Sequence, residues 1–116
     1  MPMTFVELIE AHKKDISLCD VEEAAKRIAN ESELVVIDVR EPAEFESGSV
    51  PDAVNIPRGF LEFRITEACS VADHPILIHC KTGGRAVLAA KTLADMGYSN
   101  VGVVGGAVED LLAALD

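Results

Sequence analysis

The sequence predicts an α/β layered fold around a mainly parallel sheet, and three observations carry the prediction. Short runs rich in Val and Ile, Leu34–Val39, Ile76–Ile78 and Val101–Val104, have the character of strands. Leu34–Val39 is apolar throughout except at Asp38, as in a parallel strand buried on both faces. Between these runs lie segments with apolar residues at helical spacing, and strands that alternate with helices make a layered α/β domain. The 116 residues are 49% hydrophobic, enough for the core of one domain spanning 1–116 and too apolar for long disorder.

In chain order, Thr4 is placed to cap a first helix, with Glu7 three residues on as a capping box. Phe5, Leu8, Ile9 and His12 form its inner face, so His12 reads as a half-buried face residue rather than a ligand. Ile16–Leu18 is short and strand-like. Asp20 and Glu23 repeat the capping box for a second helix, with Val21, Ala24, Ala25 and Ile28 facing inward. After Leu34–Val39 come a short helix over Pro42–Glu46, a turn at Gly48–Pro51 and a short strand at Val54–Ile56 stopped by Pro57. Arg58–Ile65 is expected to be one helix with Phe60, Leu61, Phe63 and Ile65 partly buried; Arg58 and Arg64 are expected either to rim a pocket or to pair at the surface. Beyond Val101–Val104, Gly105–Gly106 turns the chain into a closing helix whose inner face is Val108, Leu111, Leu112 and Leu115.

The centre of the chain is Pro75–Ala86. The strand Ile76–Ile78 runs through His79 to Cys80; Gly83-Gly84 marks a tight turn; from Ala86 the apolar residues Ala86, Ala89, Ala90 and Leu93 recur as one helix face, ending near Gly97. Cys80 therefore stands where a strand ends and a curled loop feeds a helix N-terminus. Successive backbone N–H groups in such a loop form an anion-binding nest, and the helix end adds partial positive charge. Lys81 and Arg85 add full charges. A thiol in that setting reacts as thiolate. His79 is adjacent, but neighbouring strand residues point to opposite sides; it is expected to be buried and to hydrogen-bond the loop backbone. Asp38, a carboxylate in a buried strand, needs a partner and is expected to satisfy backbone N–H groups and hold the loop's shape. Arg40 is expected to pair with Glu41 or Glu44, or to reach the site.

Ten Lys and Arg against twenty Asp and Glu leave a net charge of −10, which disfavours nucleic acid and anionic lipid as partners. The three Cys, at 19, 69 and 80, have no metal-binding spacing, and an odd, sparse count suits a reducing compartment. Cys19 and Cys69 lack the positive setting of Cys80 and read as incidental. The charged first twenty residues hold no signal peptide, and a cytoplasmic location is expected.

The loop Cys80-Lys81-Thr82-Gly83-Gly84-Arg85 resembles the six-residue active loop of the rhodanese (sulfurtransferase) family. Further matches are Val36-Ile37-Asp38-Val39-Arg40-Glu41, Glu44-Phe45, Gly48 to Pro57, Gly97-Tyr98 with Val101, and Val104-Gly105-Gly106. The resemblance covers about 34–116, with the helices of 1–33 packed on it. It implies a five-stranded sheet with helices on both faces and Cys80 as nucleophile. It further implies that sulfur is taken from thiosulfate or a similar anion, held as a Cys80 persulfide cradled by Lys81, Thr82, Gly83, Gly84 and Arg85, and passed to cyanide, a small thiol or a protein thiol. Asp38 and Arg40 are implied to lie near the loop. No metal or organic cofactor is implied, and monomer and homodimer both stay open. Ala86 stands where the family often has Ser, Ser49 where it often has His, and there is no Trp. Two other readings remain. Cdc25-like phosphatases and arsenate reductases have a similar loop, but with five residues between Cys and Arg where this chain has four. Non-catalytic rhodanese-like modules usually lack the Cys that this chain keeps.

Overall fold

The computed structural model describes residues Met1–Asp116. Its elements are α1 (Phe5–Lys13), β1 (Ser17–Cys19), α2 (Val21–Asn30), β2 (Val35–Asp38), α3 (Pro42–Glu46), β3 (Val54–Asn55), a 3-10 turn (Arg58–Phe60), α4 (Leu61–Ala68), β4 (Ile76–His79), α5 (Gly84–Asp95), β5 (Val101–Val104) and α6 (Val108–Leu115). The five strands form one sheet in the order β1-β5-β4-β2-β3, every neighbouring pair parallel. No helix is long and apolar enough to cross a membrane.

Local signals set the helix starts. Thr4 and Asp20 each accept the N–H of the Glu three residues on, at 3.1 and 2.8 Å, while that Glu reaches back to the cap's own N–H. The sheet then sorts side chains by parity. Ile76, Ile78 and Cys80 enter a core with Ile9 of α1, Leu61 and Ile65 of α4, and Ala86, Val87, Ala89, Ala90 and Leu93 of α5. Leu77 enters the opposite core, with Ala24 and Ala25 of α2 and Leu111 of α6. Helices therefore cover both faces, and β4 is buried along its whole length.

The segment 58–65 departs from the expected single helix. A 3-10 turn opens it, and α4 starts only at Leu61. The change of pitch rotates Phe60 and Phe63 outward, 49% and 79% exposed, while Leu61 and Ile65 carry the burial. Arg64 covers the Phe60 ring at 4.7 Å from its centroid. Arg58 pairs with Glu62 at 3.0 Å and donates to Thr92 Oγ1 at 2.8 Å.

The strand order has a switch point between β2 and β4: from β2 the chain goes outward to β3, from β4 it goes the other way to β5. Open parallel sheets bind ligands in the crevice at the carboxyl ends of such strands. Here the crevice is bordered by the α3 turn after β2 and by Cys80–Arg85 after β4.

Candidate active site

Cys80 is the first residue past β4 and is only 2% exposed. Its Sγ accepts N–H hydrogen bonds from Gly83 at 3.1 Å and from Ala86 at 3.3 Å. Ala86 is the third residue of α5, so the sulfur occupies the place where a capping side-chain oxygen would bind the first free N–H groups of a helix. The apolar periodicity does not mark Ala86 as a donor, because that role depends on where α5 starts, two residues earlier than the periodicity indicates. Gly83 makes the turn with φ of +114°, a left-handed conformation costly for other residues. At Gly84 the demand is space: a Cβ would lie 2.7 Å from the Phe5 ring of α1. Lys81 and Thr82 project as the exposed lip of the loop.

Arg85 does not stand free over the sulfur. Its Nη1 and Nη2 donate to Glu44 Oε1 and Oε2 at 2.7 and 3.0 Å, a two-pronged pair across the crevice. Glu44 Oε1 also accepts the Glu41 N–H at 3.0 Å. The Arg85 guanidinium first, and that N–H second, draw the Glu44 carboxyl down to about 2. Sequence reasoning offered Glu44 as a partner for Arg40 and within the Glu44-Phe45 match, not as a partner of Arg85. The signal that could have found it is its helical position directly after β2, the strand paired with β4.

Asp38, Arg40 and His79 form a separate buried cluster. Arg40 donates from Nε and Nη2 to Asp38 at 2.8–3.0 Å and from Nη2 to the Gly48 carbonyl at 2.8 Å. Asp38 also accepts the Arg40 N–H at 2.9 Å. Arg40 thus pairs with neither Glu41 nor Glu44, because a 0% exposed carboxylate two residues away must be matched first. Asp38 is opposite His79 in the strand register, and both have the parity of the α2/α6 face, whereas Cys80 has that of the α5 face. Neither ring nitrogen of His79 makes a bond of full hydrogen-bond geometry, although the Cys80 backbone lies near enough to favour its charged form; the nearest carboxylate oxygen, on Asp38, is 3.7 Å away.

Burial lowers the His79 pKa, and the Asp38 carboxylate offsets that only in part. On unfolding the imidazole regains an ordinary value near 6.5 and takes up a proton that the native state refuses. This contribution costs nothing at pH 8 and destabilises the fold as pH drops below about 6.5. His79→Leu is expected to flatten that part of the stability profile in urea titrations from pH 8 to 5, with little change at pH 8. An unchanged slope would show that His79 is protonated in the native state.

Residues 20–114 match the family profile of the rhodanese-like domain. The chain belongs to the rhodanese family. It is similar to a sulfurtransferase of Allochromatium vinosum, 32% identical over 82 residues that make up 71% of this chain and 75% of that one. It is also similar to the thiosulfate sulfurtransferase GlpE of Pseudomonas syringae, 36% identical over 65% of this chain and 69% of the relative. Among solved structures, the polysulfide-sulfur transferase homodimer of Wolinella succinogenes superposes with a TM-score of 0.78 at 28% identity, over 94% of this chain and 82% of that one. A Rhodopseudomonas palustris protein of unknown function, described as a possible tyrosine phosphatase, superposes with a TM-score of 0.82 at 27% identity, over 98% and 96%. The five-stranded α/β architecture of this rhodanese is the one these neighbours share.

Proposed function

We propose that this rhodanese is a sulfurtransferase that carries sulfur as a persulfide on Cys80, and the observation that carries the reading is the pair of N–H donors on the Cys80 sulfur. The Cys80 thiolate attacks the outer sulfur of thiosulfate. A new S–S bond forms, the old one breaks, and sulfite leaves with the electron pair. An acceptor then attacks the outer sulfur, and the Cys80 sulfur leaves as a thiolate received by the Gly83 and Ala86 N–H groups. Splitting the transfer into two displacements at one sulfur is nucleophilic catalysis. Thiosulfate is expected to add one sulfur atom to the intact protein by mass spectrometry, and a thiol or cyanide to remove it. An unchanged mass would count against the reading.

The phosphatase alternative has a specific observation against it. Only four residues separate Cys80 from Arg85, and both terminal nitrogens of Arg85 are held by Glu44. A phosphoryl group needs donors set about 2.7–3.1 Å from each oxygen that gains charge, and this guanidinium is engaged by the Glu44 carboxylate instead. Native protein should hydrolyse no aryl phosphate and bind no tungstate in calorimetry; activity in both would promote the phosphatase reading.

With Arg85 neutralised by Glu44, the exposed Lys81 is the cation left on the loop to attract an anionic donor to a chain of net charge −10. Lys81→Ala is expected to raise KM for thiosulfate a few-fold at low salt and leave kcat nearly unchanged. The difference from the native protein should shrink as ionic strength rises past about 0.15 M, where the screening length is about 8 Å. A kcat defect of equal size would place Lys81 in the chemical step instead.

A further inference from the structure

Gly84 lies between the two residues, Gly83 and Ala86, whose N–H groups bond the Cys80 sulfur. Two adjacent glycines leave the backbone freer than any other pair, so the spacing of these donors needs a brace from outside the loop. The Glu44–Arg85 pair is one brace. Helix α1 supplies another. A Cβ on Gly84 would lie 2.7 Å from Cζ and 3.0 Å from Cε2 of the Phe5 ring, and 3.9 Å from Cγ1 of Ile9. The ring therefore rests directly on the glycine backbone. Its own helix holds it there. Phe5 is the first residue of α1, and the Thr4–Glu7 capping box fixes that end. Ile9 stands one turn on, on the same helix face, and is the buried residue that anchors α1. Phe5 itself is 57% exposed, so filling the core is not what its ring contributes. Helix α1 also precedes the residues 20–114 that match the family profile, so this contact lies outside the family's loop pattern.

We propose that Phe5 is a positioning residue for sulfur transfer: its ring keeps Gly84, and with it the Gly83 and Ala86 N–H groups, in place around the Cys80 sulfur. The inference rests on the sulfurtransferase reading and adds to it a residue from outside the loop. Phe5 acts through Gly84 and has no bond to the sulfur. Without the ring, Gly84 faces open space, and the peptides on either side of it gain freedom. The two donors then meet the charge on the Cys80 sulfur less well aligned. A misplacement of about 1 Å near reacting atoms costs up to 10²-fold, and a loosened contact costs part of that. Attraction of thiosulfate depends on Lys81 rather than on this contact, so KM is not expected to follow kcat.

The test is steady-state transfer from thiosulfate to cyanide by full-length variants. The sulfur loaded per protein, read by mass, counts the working sites, so kcat is taken per loaded site and a misfolded fraction does not enter it. Phe5→Ala is expected to lower kcat about five- to tenfold at unchanged KM, with a urea midpoint close to that of the native protein. Phe5→Leu keeps a branched side chain over Gly84 and should stay within about twofold of native. Val6→Ser, next in the chain and 66% exposed, should have native kcat. Gly84→Ala alone should lower kcat about tenfold, because its methyl group collides with the ring. Gly84 has no left-handed φ, so alanine fits its backbone once the ring is gone. In the double variant Phe5→Ala with Gly84→Ala, the methyl group enters the vacated space, and kcat should return to within about threefold of native. Native kcat in Phe5→Ala overturns the proposal and leaves the sulfurtransferase reading standing. So do losses that multiply in the double variant, or a loss in Val6→Ser as large as that in Phe5→Ala. A native protein that neither takes up sulfur nor turns over cyanide overturns the sulfurtransferase reading, and the role of Phe5 with it.

Discussion

Cys80→Ser is expected to abolish sulfur transfer from thiosulfate to cyanide, with a loss on the order of 10⁴-fold or more, the scale seen when a covalent nucleophile is removed. Serine is the informative replacement. The native sulfur accepts N–H bonds from Gly83 and Ala86 in a place only 2% exposed. A hydroxyl keeps an acceptor for both donors, whereas alanine leaves them buried and unmatched at a cost of about 1–3 kcal/mol each. The serine variant should therefore fold and give the native circular dichroism spectrum, so that the loss reports chemistry. Cys19→Ala and Cys69→Ala should retain transfer and still gain one sulfur by mass. Cys69 belongs to the α5-side core, so its variant is expected to lose some stability but not the adduct. Turnover by the serine variant would refute the assignment of the nucleophile.

Glu44→Gln is expected to lower kcat by roughly 10- to 100-fold, although Glu44 bonds Arg85 and does not touch the sulfur. Arg85 is the second residue of α5, the turn whose next N–H, from Ala86, lies on Sγ. The two bonds at 2.7 and 3.0 Å hold that turn against α3. A misplacement of about 1 Å near reacting atoms costs up to 10²-fold. Glutamine keeps the shape but gives up the charge and one of the two acceptors. Arg85→Lys should behave similarly, because an ammonium cannot engage both oxygens in one plane. The double variant should be little worse than either single one, since both break one contact. Additive losses would mean that Arg85 acts directly on the substrate.

The same pair has a pH signature. Its carboxyl titrates near 2 in the folded protein instead of 4.5. A depressed carboxyl stabilises the fold above its unfolded value, and that contribution is lost as pH falls from about 4.5 towards 2. Both partners are about one third exposed, so the contribution is about 1 kcal/mol at neutral pH. The stability gap between native protein and Glu44→Gln should accordingly close in acid. A constant gap would show that the ion pair is not what the substitution removes.

Much of this molecule is local, and what is local is legible in the chain. Thr4 with Glu7 and Asp20 with Glu23 announce two helix starts because a capping box needs only four adjacent residues. The runs Val35–Asp38, Ile76–His79 and Val101–Val104 announce the central strands because burial on both faces leaves no room for polar alternation. Cys80 at the foot of a Gly-Gly turn follows from the order strand, loop, helix. The change of pitch at Leu61 was not legible, since Arg58–Ile65 fits either helix type until packing selects which side chains turn inward.

The pairing of charges was decided only in three dimensions. Twenty acidic residues compete for ten basic ones, and nothing in their order says that Arg85 takes Glu44, 41 positions away, or that Arg40 takes Asp38. The parallel pairing of β2 with β4 makes that choice by setting α3 beside the loop. Strand parity then sends Asp38, Arg40 and His79 to one face and Cys80 to the other. Position along the chain is enough to mark Cys80 as the proposed nucleophile, because its environment is made by its own loop. Glu44 belongs to another element, α3, and only the register between β2 and β4 brings it within hydrogen-bonding distance of Arg85.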